Sequence, residues 1–374
     1  MKQFIKITIF ALIALVTFQA CRDSEEEITP SGNYSPIRGG FPQGDSEYDQ
    51  MIYQIKQEYG VYLLYKDVRE EDMNRSWVSP GTSGIIIAGD SIDRDKGVWD
   101  LPEEHLPFYV DFFQNYIFPN ISKEFAKTTL PVKIYMIHNL REEARNFSDE
   151  EEENKEENNE NSEDGGTDGT TNKNLHIGTF DNWVISFPDS VIFGNDKEYI
   201  LKQQRCMFMT HIIINSIESG KIVPPNGFWE RYNLSKSNTC DLDRDHTNCS
   251  MINVVNENAD NYLYKFGYVD VLEAKFGTGN KNEIIKNVNI SNGKELHATN
   301  WRATTKDVTW DMFQAYIMNA MWFTPEEFAQ RYDTDENTII AEQYELVVNH
   351  MYDKYGIDLQ GIAYGKKKDH NRGS

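Results

Sequence analysis

The chain reads as an α+β protein with a small mixed sheet over a central buried helix, followed by a mostly helical C-terminal half. Three observations predict this. Short β-rich segments occupy the first half, one long apolar segment spans residues 199–218, and apolar residues recur at helical spacing beyond it.

Residues 48–59 place Ile52, Ile55 and Tyr59 at helical spacing, and Gly60 ends that helix. The extended Val61-Tyr62-Leu63-Leu64-Tyr65 follows. Residues 106–118 form an aromatic amphipathic helix that stops at Pro119. Pro131-Val132-Lys133-Ile134-Tyr135-Met136-Ile137 alternates as a strand, and Asn174-Leu175-His176-Ile177-Gly178 and Trp183-Val184-Ile185-Ser186-Phe187 add two more. Residues 262–276, 310–323, 325–332 and 338–355 read as helices. Five tryptophans, Trp77, Trp99, Trp183, Trp229 and Trp301, could stack on sugars, but scattered aromatics are more often core.

The N-terminus predicts export. Met1, Lys2 and Lys6 make a basic start and residues 7–18 an apolar core too short to span a bilayer, so residues 1–20 read as a signal peptide. Ala20 before Cys21 resembles a lipobox, which marks Cys21 for lipidation, against an ordinary signal peptide with a chance cysteine. The charged run Arg22-Asp23-Ser24-Glu25-Glu26-Glu27 resembles the acidic export tag of lipoproteins in Bacteroidetes-type envelopes. Residues 21–45 are then a flexible tether, 46–365 one folded domain and 366–374 a polar tail. These features together point to an outer-membrane lipoprotein at the cell surface.

A formal charge of −23 excludes nucleic acid as a partner, since a phosphate binder needs a basic face. Much of that charge is local. Residues 149–168 carry eleven acids against Lys155 alone, so the segment 141–173 is expected to be a disordered acidic insertion. Cysteines are few. Cys206 lies in the apolar helix as a small buried hydrophobe, while Cys240 and Cys249 bracket a polar loop and predict a disulfide in an oxidising space. The competing calcium-loop reading of Asp241, Asp243 and Asp245 lacks the turn glycine, where His246 stands, and the final glutamate, where Ile252 stands.

The apolar segment carries His211-Ile212-Ile213-Ile214-Asn215 where a zinc peptidase has H-E-x-x-H. In that motif two histidines one helical turn apart bind the metal and the glutamate acts on the attacking water. Here Ile212 stands for the base and Asn215 for the second ligand, although Asn215 could hydrogen-bond His211 across one turn. With Phe208, Ile212, Ile213, Ile214 and Ile217 around it, His211 also fits a core histidine. The other seven histidines, among them His105 and His138, show no paired spacing with an acid.

Several phrases in order resemble one family. They are Tyr48-Asp49, Tyr59-Gly60-Val61-Tyr62-Leu63-Leu64-Tyr65, Leu130-Pro131-Val132-Lys133-Ile134, Asn174-Leu175-His176-Ile177-Gly178, Phe266-Gly267-Tyr268-Val269 and Tyr352-Asp353-Lys354-Tyr355-Gly356-Ile357-Asp358-Leu359. The chain resembles the substrate import-associated zinc metallohydrolase lipoproteins. That resemblance implies a zincin-like metallopeptidase fold, a zinc ion, and partnership with a TonB-dependent importer and its substrate-binding lipoprotein. It also implies a third ligand in a phrase like E-D-F-A-E, matched here by Trp310-Asp311-Met312-Phe313-Gln314, so only Asp311 keeps a carboxylate and Gln314 replaces a glutamate. His211 is then a vestigial ligand, Asn215 and Gln314 are degenerate positions, and the expectation is a catalytically degenerate binding or accessory component with no resident cofactor. The alternative is an active zinc metallohydrolase with a non-standard metal site, which processes substrate before import.

Overall fold

The computed structural model describes residues 37–69, 72, 85–88, 99–138, 140–143, 170–172, 175–176, 182–194, 197–232, 258–260, 262–272, 284–285, 288–291, 295–298 and 308–365. Cys21, Cys240, Cys249, the interior of the acidic segment and the polar tail lie outside them. The fold is mixed α and β, with two units: residues 1–41, of which Ile37 to Phe41 are described, and residues 42–374.

The second unit opens with helix α1 (Glu47–Tyr59). Ser46 caps it by accepting from Asp49 N, and the Asp49 carboxylate accepts in return from Ser46 N and from the Tyr65 hydroxyl at 2.7 Å. Strand β1 (Tyr62–Leu64) follows, and Gln43 fastens the chain ahead of α1 to it by accepting from Tyr65 N and donating to Lys66 O. The expected tether therefore ends earlier than residue 45, because Gln43 supplies hydrogen bonds that the end of β1 needs.

Three strands run parallel in the main sheet: β1, β3 (Lys133–Ile137) and β7 (Asn182–Ser186). The short β6 (Leu175–His176) pairs antiparallel with β7, giving the order β1-β3-β7-β6. Leu63, Ile134 and Trp183 lie in register across it. All five residues of β7 are buried, so both faces of the sheet are covered, as parallel strands require. A separate antiparallel sheet joins β2 (Ile85–Ala88), β4 (Leu140–Glu143) and β5 (Thr170–Asn172). This corrects the expected insertion at both ends: residues 141–143 and 170–172 pair as strands, since their backbone groups find partners in β2 and each other.

The aromatic segment after residue 100 begins as helix α2 (Leu106–Asp111), widens to a π-helix over Phe112–Ile117 and closes as a 3₁₀ turn over Phe118–Asn120. The π stretch buries Phe112, Phe113, Tyr116 and Ile117 together. Tyr109 of α2 is fully buried, and its hydroxyl donates to Ile137 O at 2.8 Å and accepts from Phe187 N at 2.7 Å. One side chain thus ties the C-terminal ends of β3 and β7 together. Helix α3 (Lys123–Thr129), capped by Ser122, leads into β3.

After the short α4 (Asp189–Ile192) comes the central helix α5 (Lys197–Glu218). Leu201, Arg205, Phe208, Met209, Ile212 and Ile213 are each at most 2% exposed, which bears out burial on more than one face. Phe208 packs edge-on against Trp183 and Phe113. The buried Arg205 guanidinium donates to Ile362 O and Ala363 O at the end of the last helix and pairs with Glu198.

The region expected to be helical at 262–276 is instead a 3₁₀ turn (Leu263–Phe266) followed by β8 (Val271–Leu272), which pairs with β9 (Ile284–Ile285). Gly267 breaks the helix there: its φ is +79°, and a Cβ would come within 2.5 Å of Ile339 Cγ2. A three-stranded antiparallel sheet follows, β10 (Val288–Ser291), β11 (Glu295–Ala298) and β12 (Val308–Asp311). Helices α6 (Met312–Trp322), α7 (Pro325–Tyr332), α8 (Thr338–Tyr355) and α9 (Leu359–Tyr364) complete the helical C-terminal half. Asn319, Asp270, Tyr332 and Arg331 bind one another within it: Asn319 Nδ2 donates to Asp270 O, the Tyr332 hydroxyl to Asn319 Oδ1, and Arg331 pairs with the Asp270 carboxylate.

Tyr109→Phe removes both buried hydrogen bonds and leaves the Phe187 N–H without its acceptor. A loss of about 2–3 kcal/mol is expected, read as a lower urea midpoint at unchanged slope.

Candidate functional site

The helix positions singled out in the sequence differ in burial. Ile212 is buried at 1% exposure, Asn215 one turn from His211 faces solvent, and His211 is half-buried with no hydrogen bond to Asn215. The burial of Ile212 follows from its apolar side chain, which gains from leaving water. Asn215 is exposed near the C-terminal end of α5, beside the buried Ser216. Burial lowers the His211 pKa, and no carboxylate acts against that depression. Asp311 is the N-cap of α6 and accepts from Gln314 N at 2.7 Å, so its carboxylate already answers a helix terminus. Gln314 contributes its backbone to that cap. Among the described residues, neither His211 nor Asp311 joins a group of three side chains able to hold a metal. His211, Asn215 and Asp311 therefore do not fit a zinc ion as a set. Cys206 is 1% exposed and has its thiol pushed up to about 11 by burial, which bears out its reading as a core residue. Trp99 and Trp183 are likewise core.

A different cluster forms at the C-terminal edge of the parallel strands, built from two histidines and one aspartate far apart in sequence. His138 follows β3 directly, and Asp189 stands three residues after β7, where Pro188 O accepts from Val191 N to begin α4. His105 comes from the β1 side. Trp99 N and Leu101 N donate to Val68 O and Tyr65 O just beyond β1, and a 3₁₀ turn (Glu103–His105) then delivers the imidazole.

Potential ligand atoms of the three residues all lie within 4.8 Å of one another. His138 Nε2 is 3.0 Å and His105 Nε2 is 3.5 Å from the same Asp189 oxygen, Oδ1. The two imidazoles meet edge to face, with centroids 4.7 Å apart, and Phe193 packs against the outer edge of His105. The site is graded in exposure: His105 is 4% exposed, the His138 side chain 13% and the Asp189 side chain 62%. Burial, reinforced by neighbouring His138, lowers the His105 pKa against the pull of Asp189, so His105 is neutral at neutral pH. Its Nδ1 is buried with no hydrogen-bond partner. Two imidazoles beside a carboxylate make a donor set suited to a borderline cation.

The sequence reading missed this cluster because it sought acid and histidine on one helix. The available signal was position: His138 and Asp189 each stand just past the end of a predicted strand, the edge where open parallel sheets bind ligands.

No family model matches the chain, and no curated protein does. A crystal structure from Bacteroides caccae, described as a "putative zinc-binding metallo-peptidase", is similar over 86% of this chain and 92% of that one, at 11% identity and a TM-score of 0.37. Likeness at that level assigns no residue a role.

Asp311→Ala should destabilise the domain by about 1 kcal/mol through loss of the cap, whereas Asp311→Asn should come within a few tenths of the parent. Thermal unfolding of both variants, each with and without added zinc, checks this. A cap responds to the alanine change equally in either condition; a metal ligand does not.

Proposed function

We propose that this chain is an outer-membrane lipoprotein with a zincin-like scaffold that no longer carries the catalytic set of the metallohydrolases it resembles. It acts as a binding or accessory component of a TonB-dependent nutrient import system, beside the importer and its substrate-binding lipoprotein. One observation supports this reading: Ile212 is buried where the general base would stand, while Asn215 is exposed and Asp311 caps a helix. A zinc-bound water without a base and with one histidine for three ligands gains little activation. The lipidation signal at Cys21, the acidic run after it and the ordered phrases of the family support the placement in the envelope. Among the described residues no helix is long and apolar enough to cross a membrane.

A second reading is favoured by the His105, His138 and Asp189 cluster: an active zinc metallohydrolase with a non-standard site that trims substrate before import.

Two measurements on the full chain test the anchor and separate the two catalytic readings. A clickable palmitate analogue should label the protein in cells, and Cys21→Ala should abolish the label; persistence of the label would remove the anchor from the proposal. Purified protein with added zinc should leave a complex peptide library intact. Cleavage lost in His211→Ala would restore the helix as an active site, and cleavage lost in His138→Ala would establish the second reading.

A further inference from the structure

We propose that His105, His138 and Asp189 form a site for one divalent cation of the borderline first-row class, zinc above all, separate from the helix that carries His211. The inference does not depend on whether the scaffold is catalytic or anchored.

Donor chemistry decides the class. Two imidazoles and one carboxylate suit zinc and its neighbours, whereas magnesium and calcium demand shells of oxygen. Three protein ligands are the number that tetrahedral zinc takes when its fourth position is left to solvent.

The spacing agrees. With metal–ligand bonds near 2.0–2.2 Å, tetrahedral neighbours lie about 3.3–3.5 Å apart. Of the two imidazole–carboxylate distances, 3.5 Å falls within that range and 3.0 Å lies about 0.3 Å below it. The two imidazoles, with ligand atoms within 4.8 Å, need to close by at most about 1.4 Å, within reach of a small side-chain rotation.

A hydrogen bond to Asp189 accounts for His138 alone. His105 is 4% exposed and holds Nε2 at 3.5 Å from the oxygen that His138 already engages. A buried ring nitrogen at that distance is poorly met by the carboxylate, and an ion held between Nε2 and Asp189 Oδ1 satisfies it. Asp189, largely exposed, gives the ion a way in. The backbone beneath is rigid, because Tyr109, one helical turn after His105, holds Ile137 O and Phe187 N beside His138 and Asp189.

The test is calorimetric titration of the EDTA-stripped full chain with Zn²⁺ in excess Mg²⁺, which occupies the acidic run and leaves imidazole sites free. One equivalent of zinc is expected to bind. His138→Gln and Asp189→Ala should each weaken it at least tenfold, and His211→Ala should leave it within twofold. Circular dichroism of the metal-free variants checks their fold; should His138→Gln fail to fold, the exposed Asp189→Ala carries the comparison. Co²⁺ gives a second readout, with the intense visible bands of a tetrahedral site in the parent and their loss in Asp189→Ala. Absence of zinc uptake under excess Mg²⁺, unchanged affinity in Asp189→Ala, or an equal loss in His211→Ala would overturn the proposal.

Discussion

The hydroxyl of Tyr109 is the point on which the site end of the sheet depends. Parallel strands leave their C-terminal ends open, and each end carries backbone groups that the ladder no longer satisfies. Tyr109 answers two of them at once, Ile137 O and Phe187 N, from a position with no solvent contact. The same ring packs edge-on against Phe187, and Phe187 in turn meets Phe108 and Phe112. Burial pushes the Tyr109 pKa well above its ordinary value, which keeps the hydroxyl a donor at neutral pH. His105, His138 and Asp189 are all within a few residues of this one clamp.

The central helix is joined to the last helix by a charge rather than a hydroxyl. Arg205 is 1% exposed, yet its donors meet the Ile362 and Ala363 carbonyls, the Glu198 carboxylate lies alongside, and Tyr116 lies under the guanidinium. A buried cation survives only with such partners. Its placement on α5 explains why that helix is central: it touches the sheet through Phe208 and Trp183, and the C-terminus through Arg205. Gly356 adds a second join. With φ at +66° it ends α8, its carbonyl accepts from Ser122 N, and a Cβ there would lie 2.5 Å from the Ser122 Cβ.

Much of the fold was legible because periodicity and punctuation are local. The helices at 47–59, 197–218, 325–332 and 338–355 and the strands β1, β3, β6 and β7 fall where apolar spacing and Gly, Pro or Ser place them. Residues 262–276 were misread since Leu263, Tyr264 and Phe266 imitate a helical stripe, while the left-handed turn at Gly267 decides the outcome. The cap at Asp311 was not legible in the motif alignment, which does not see hydrogen bonds, although a carboxylate just before an apolar helix suits a cap. The candidate site was not legible at all from spacing. Only the pairing of β3 with β7 brings His138 to Asp189, and only the joining of residues 99–101 to 65–68 brings His105 to both.

The phrases that carry the family resemblance are therefore mostly statements about backbone. Tyr59-Gly60, Phe266-Gly267 and Tyr355-Gly356 each close a helix or turn with a glycine at positive φ, and Tyr48-Asp49 belongs to a cap that also receives the Tyr65 hydroxyl. Such positions answer to sterics and hydrogen bonding, and nothing in them requires a metal. On α5, packing governs Ile212 and Ile213, which are buried, while His211 beside them is half-buried. Side chains capable of chemistry come together elsewhere: His105, His138 and Asp189 stand at the C-terminal ends of the parallel strands, where topology leaves the sheet open and where backbone pairing, not sequence spacing, sets their distances.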